Sequence, residues 1–143
     1  MQFTRDFDTE QALPVGWGVR VLVLAESEAA PLVSRVAALG GPVEVETELY
    51  AALAAMIDDP GGYGLFVMDC DAFGGGEAGA LARRTLAAVQ SRVPMILLCA
   101  EHERHDFPQE RNAPVTLRTP VSTVSLKVGF EHALRDRLAW RAA

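Results

Sequence analysis

Asp69 closes an apolar run, Gly64-Leu65-Phe66-Val67-Met68, and is followed by Cys70-Asp71-Ala72-Phe73 and three glycines, Gly74 to Gly76. A carboxylate at the end of a buried strand, ahead of a glycine-rich loop, stands where open α/β sheets place ligands and chemistry. Glu26 closes a second apolar run, Val19-Arg20-Val21-Leu22-Val23-Leu24-Ala25. Two strands that end in acids point to one cation or phosphoryl site rather than to two unrelated charges. Each acid also has a plainer reading. Asp69 can cap its loop through backbone N–H groups, with Asp71 as a solvated neighbour, and Glu26 can be a first-turn helix acid favoured by the helix dipole.

The elements that must position these acids alternate along the chain. Residues 1–17 read as an N-terminal extension, punctuated by Pro14 and Gly16, with Phe3, Phe7, Leu13 and Trp17 as apolar anchors. Residues 18–143 read as one domain. Strands are expected over residues 19–24, 43–45, 65–68, 95–99 and 115–117; the run 95–99 after Pro94 is continuously apolar, and 43–45 and 115–117 are short. A helix over 27–39 tolerates Pro31 in its first turn and stops at Gly40-Gly41. Thr47 is expected to cap a helix over 48–57, and a third helix runs over 77–89. Ser122 is expected to cap a last helix from Thr123 to about Ala142, with Leu126, Phe130, Leu134 and Leu138 along one face. The stretch 101–111 is polar and only weakly helical, and completes an alternation of five strands and five helices. Such alternation predicts a three-layer α/β/α sandwich on a parallel sheet, with the flavodoxin-like order 2-1-3-4-5. That order gathers Ala25, Glu26, Asp69, Cys99 and Thr119-Pro120 at one crevice.

Composition narrows the class of function. Half of the 143 residues are hydrophobic, enough for a core without disulfides. The formal net charge of −6 is no footprint for nucleic acid. No apolar run reaches the roughly 20 residues that span a bilayer, and the mixed, acidic N-terminus lacks a signal-peptide core. The expected location is the cytoplasm, without membrane attachment. Two cysteines, Cys70 and Cys99, are too few for a disulfide framework.

In element order and spacing, residues 18–140 resemble the receiver domain of bacterial response regulators. The residues that carry the resemblance are Leu24-Ala25-Glu26, Val67-Met68-Asp69 with Gly74-Gly75, Pro94-Met95-Ile96-Leu97-Leu98-Cys99-Ala100 and Leu117-Arg118-Thr119-Pro120. The resemblance implies that Asp69 is the candidate acceptor of a phosphoryl group from a histidine kinase, since a carboxylate can form an acyl phosphate. It implies a weak Mg²⁺ site at Glu26 and Asp69, with Ala25 in place of the second acid. It makes Cys99 and Thr119 the phosphoryl-site neighbours. Cys99 stands where the family has a hydroxyl and Thr119 where it has a lysine, so a weaker donor and a missing cation face the site. Thr116 takes the place of the family's aromatic switch residue. Arg118, by strand alternation, should point away from the crevice. The Thr119-Pro120 bond is expected to be cis.

The implied function is that of a stand-alone, atypical receiver module, not an enzyme, with impaired or absent phosphoryl acceptance. It would act on a histidine kinase, a phosphotransfer protein, another signalling protein or a second copy of itself. Its contact face would be the fourth helix, the fifth strand and the last helix, residues 101–142. Two alternatives share the fold: a flavodoxin-like cofactor binder or small enzyme, against which the acidic loop Ala25-Glu26-Ser27-Glu28 argues, and a constitutive dimerisation module. Cys99, His102 and His105 have a spacing compatible with metal ligands, but a solvated polar loop explains them more simply. A Cys70–Cys99 redox pair is disfavoured if the two thiols point to opposite faces. Gly74 to Gly76 lacks the lysine-serine pair of a phosphate-binding loop and reads as a flexible connection. The run from Arg135 to Arg141 suits a helix C-terminus.

Overall fold

Apolar residues on both faces of the inner strands decide the architecture. The computed structural model describes residues 15–136; Phe3, Phe7, Leu13, Leu138 and Trp140 lie outside them, as does most of the N-terminal extension. The elements run β1 (Val21–Leu24), α1 (Pro31–Ala37), β2 (Val43–Glu46), α2 (Leu49–Asp58), β3 (Leu65–Asp69), a 3-10 turn (Cys70–Phe73), α3 (Gly76–Ala88), β4 (Met95–Leu98), β5 (Val115–Leu117) and α4 (Thr123–Ala133). All strand pairs are parallel and the order is β2-β1-β3-β4-β5, as expected.

Period-two alternation sorts the strand side chains between two cores. Val21, Val23, Leu65, Val67, Ile96, Leu98, Val115 and Leu117 pack with Val36 of α1 and with Leu126 and Phe130 of α4. Leu22, Leu24, Phe66, Met68, Met95 and Leu97 pack with Ala52, Leu53 and Met56 of α2 and with Ala78, Ala82 and Leu86 of α3. Every residue of β1 and β4 is buried, which is the pattern of a parallel sheet covered on both faces. The outcome is the expected three-layer sandwich.

Helix starts follow local chemistry. Pro31 sits at the first position of α1, where its missing N–H costs nothing. Residues 27–30 form a turn, so α1 begins later than its acidic run suggests. Glu48, not Thr47, caps α2, accepting from the Ala51 N–H at 2.7 Å. Ser122 caps α4 as expected, accepting from Ser125 N–H at 3.0 Å.

The expected helix over 101–111 is absent. Phe107 is the one large apolar side chain in that stretch, too little to form a helix face, and Pro108 would break a helix interior. The segment is instead a strap laid along the sheet edge and α4. Asp106 pairs antiparallel with Thr116 of β5, through N–H···O contacts of 2.7 and 3.1 Å. Phe107 packs on the α1/α4 core and meets the His132 ring edge-on at 5.8 Å. A His132 ring nitrogen bonds the Pro108 carbonyl. Arg135 donates to the Gln109 carbonyl at 3.1 Å, and Arg118 to the Glu103 carbonyl at 3.0 Å. Arg111 faces Asp136 at 3.5 Å. The strap's backbone groups thus find partners from both neighbouring elements, as buried or half-buried backbone requires.

Candidate functional site

The C-terminal ends of β1, β3, β4 and β5 form one rim. Leu24 stands beside Met68, and Asp69 beside Leu98. Beyond the strands the chain stays in register: Cys99 N–H donates to Leu117 O at 3.0 Å and Thr119 N–H to Cys99 O at 3.4 Å. Asp69, Cys99 and Thr119 are therefore neighbours at the rim. Ala25 is buried, and Glu26, the next residue, is exposed. The Thr119-Pro120 bond is cis, in agreement with expectation.

The donors at this rim turn to Asp71. The Ala100 N–H donates to Asp71 Oδ1 at 2.9 Å, and the Thr119 hydroxyl donates to Asp71 Oδ2 at 2.6 Å. Burial alone would raise the Asp71 carboxyl. The Thr119 hydroxyl, the Ala100 N–H, the Cys99 thiol and the charge of His102 together outweigh it and hold the group below the usual aspartate range. Asp71 read from sequence as a solvated neighbour. It is exposed, but it is the side chain on which the rim's hydrogen bonds converge. The available signal was an Asp-x-Asp sequence running from a strand end into a tight turn.

Asp69 behaves in the opposite way. Burial first, then the charge of Asp71, and more weakly that of Glu26, push its carboxyl above the usual range. The N–H groups of Asp71 and Ala72 offset part of this, without forming a cap of ordinary geometry. Among the described residues no lysine or arginine pairs with Asp69 or Asp71. Arg118 points to the strap, as alternation predicts. Among the described residues no group of three His, Cys, Asp or Glu side chains is arranged to hold a metal ion. Glu26 and Asp69 could offer Mg²⁺ two carboxylates, with waters completing its shell, while both oxygens of Asp71 are engaged by the Ala100 N–H and the Thr119 hydroxyl.

The remaining candidates have structural work. His102 Nδ1 bonds the Leu117 carbonyl at 3.0 Å and His105 Nδ1 accepts from the Arg118 N–H at 3.0 Å, so neither converges with Cys99. Cys70 and Cys99 do not point to opposite faces: both lie in the core under α2 and α3. Strand alternation failed here because Cys70 belongs to the 3-10 turn, not to β3. Burial pushes the Cys70 thiol up to about 12, which leaves it unreactive. Nor is the glycine loop simply a flexible connection. Gly74 and Gly75 have φ of 111° and 81°, and a Cβ on Gly75 would lie 1.9 Å from Glu101 Oε2. Glu101 accepts from the Gly76 N–H at 3.0 Å and so caps α3 across the rim.

Comparison with known proteins supports the fold. No family model matches the chain, and no curated protein matches it. Among solved structures, a response regulator receiver domain protein from Clostridium thermocellum superposes with a TM-score of 0.64 at 14% identity, covering 85% of this chain and 98% of that one. The receiver domain of a sensor histidine kinase from Pseudomonas aeruginosa, with a magnesium ion coordinated in its active site cleft, gives 0.64 at 19% identity, covering 82% and 98%. The anti-anti-sigma factor PhyR from Bartonella quintana gives 0.56 at 17% identity, covering 99% of this chain and 59% of that one. The fold is that of response-regulator receiver domains.

Proposed function

We propose that this chain is an atypical receiver module of two-component or phosphorelay signalling, which acts through protein contacts with impaired or absent phosphoryl acceptance at Asp69. One observation carries the reading: the rim donors serve Asp71, and no cation among the described residues faces Asp69. An acyl phosphate at Asp69 would need its equatorial oxygens neutralised. Here it would meet the charges of Asp71 and Glu26 instead. Each missing electrostatic partner is worth roughly 3 kcal/mol to such a transfer, so loss of two slows it by about four orders of magnitude. Mg²⁺ would be held weakly, through Glu26 and Asp69.

Output then depends on a face made of the strap, β5 and α4. Val124 and Val128 stand one turn apart on α4, 72% and 41% exposed, and give that face an apolar centre. A histidine kinase, a phosphotransfer protein, another signalling protein or a second copy of this chain would bind there. The module is a switch relic rather than an enzyme, and its place is the cytoplasm. Separately, no helix among the described residues is long and apolar enough to cross a membrane.

Titration with beryllofluoride and Mg²⁺, followed by amide chemical shifts, tests the reading. Small or absent shifts around Asp69 are expected. Large saturable shifts that vanish in Asp69→Asn would show a competent acceptor and overturn it.

A further inference from the structure

We propose that Asp71 is a built-in ligand of the chain's own anion seat. Its carboxylate fills the place between the Ala100 N–H and the Thr119 hydroxyl that a transferred phosphoryl group would need, and holds the rim in its occupied state without phosphorylation. The inference rests on the receiver reading for what the seat is meant to hold; the contacts themselves do not depend on it.

Two donors from two different loops reach the two oxygens of one carboxylate, at 2.9 and 2.6 Å. These are charge-assisted bonds, shorter and stronger than neutral ones. The carboxylate is delivered by a turn that has little freedom. Cys70 is buried against α3, where a Cβ on Gly79 would lie 2.9 Å from its sulfur, and the turn ends on the left-handed Gly74. A ligand tethered this closely competes at an effective concentration of millimolar or above with any free anion. A phosphoryl group on Asp69 would also have to displace a like charge two residues away.

The occupied seat reaches the contact face directly. Ala100 precedes the strap, and its successor Glu101 caps α3. Thr119 precedes the link into α4, and the next part of that link is fixed by Arg35, which donates to the Val121 carbonyl at 2.6 Å. One carboxylate therefore pins the starts of both segments that flank β5, and the face is set by the sequence rather than by a kinase.

Amide exchange at Ala100 tests this in the full chain, first without added anion and then with inorganic phosphate. In Asp71→Ala the Ala100 amide should exchange about ten- to a hundredfold faster than in wild type, the loss expected for a hydrogen bond to a charged group. Phosphate should then produce saturable shifts at Ala100 and Thr119 that wild type does not show. Asp71→Asn keeps the volume and one acceptor oxygen, guards against a misfolded alanine variant, and should give an intermediate acceleration. Unchanged Ala100 exchange in both variants, or an equal phosphate response in wild type, would overturn the inference. The two readings separate cleanly. Beryllofluoride uptake at Asp69 alongside Asp71-dependent Ala100 exchange would sink the impaired acceptor and leave the Asp71 contact standing; no uptake with Asp71-independent exchange would do the reverse.

Discussion

Asp69 and Asp71 stand two residues apart and are pushed in opposite directions. Asp69 is raised by burial, Asp71 and Glu26, so the folded state holds its proton more tightly than the unfolded chain does. Its ionisation therefore opposes folding: the cost is absent below the ordinary aspartate value and grows as pH rises through the raised folded value. Asp69→Asn should accordingly stabilise the protein at neutral pH, by up to about 1 kcal/mol once solvent screening of this half-buried carboxyl is allowed for, and by nothing at about pH 3. Urea denaturation at the two pH values checks this. For Asp71 the sign reverses. Its folded value is lowered, so its contribution is present above the ordinary value and lost as pH falls through the folded one, and Asp71→Asn should destabilise at neutral pH. Asp69, Glu26, Cys99 and Thr119 were legible as rim residues because each ends a strand or lies within two residues of a strand's end. Asp71 was not, because its role depends on donors supplied by residues 29 and 48 positions later in the chain.

Elements read well where one pattern dominated. The continuous apolar runs of β1, β3 and β4 fixed strand positions to within a residue or two, and Ser122 marked the start of α4. Misreadings came where patterns competed. Thr47 is of a residue type that favours caps, but the structure caps α2 with Glu48 instead. The charged stretch 101–111 had helix-forming residues but no apolar stripe, and its backbone bonds go to β5 and α4 instead. The glycine loop offers a test at this scale. Gly75→Ala should cost about 2 kcal/mol, from a backbone conformation that side chains rarely adopt and from the clash with Glu101. Glu101→Ala should cost about 1 kcal/mol through loss of the α3 cap. The double variant should cost less than the two together, because only the backbone strain survives; a strictly additive cycle would mean the two do not touch.

At the scale of the whole molecule, the order β2-β1-β3-β4-β5 brings four strand ends to one rim, and that rim feeds one side surface. The architecture followed from alternation alone, whereas the surface's use does not follow from fold. Replacing Val124 and Val128 by aspartate tests the surface. Both are exposed, so the fold should hold to within about 0.5 kcal/mol. Any concentration-dependent self-association of the wild type in sedimentation velocity should be lost in the variant; identical behaviour of the two at high concentration would count against a homodimer through α4.

The most direct measurement of the central claim is chemical. The full chain is incubated with acetyl phosphate and Mg²⁺, and its intact mass is recorded alongside that of Asp69→Asn. With the rim's donors held by Asp71 and no cation among the described residues to steady an acyl phosphate, both proteins should keep their original mass. Stoichiometric gain of one phosphoryl group by the wild type, absent from the Asp69→Asn variant, would contradict the account.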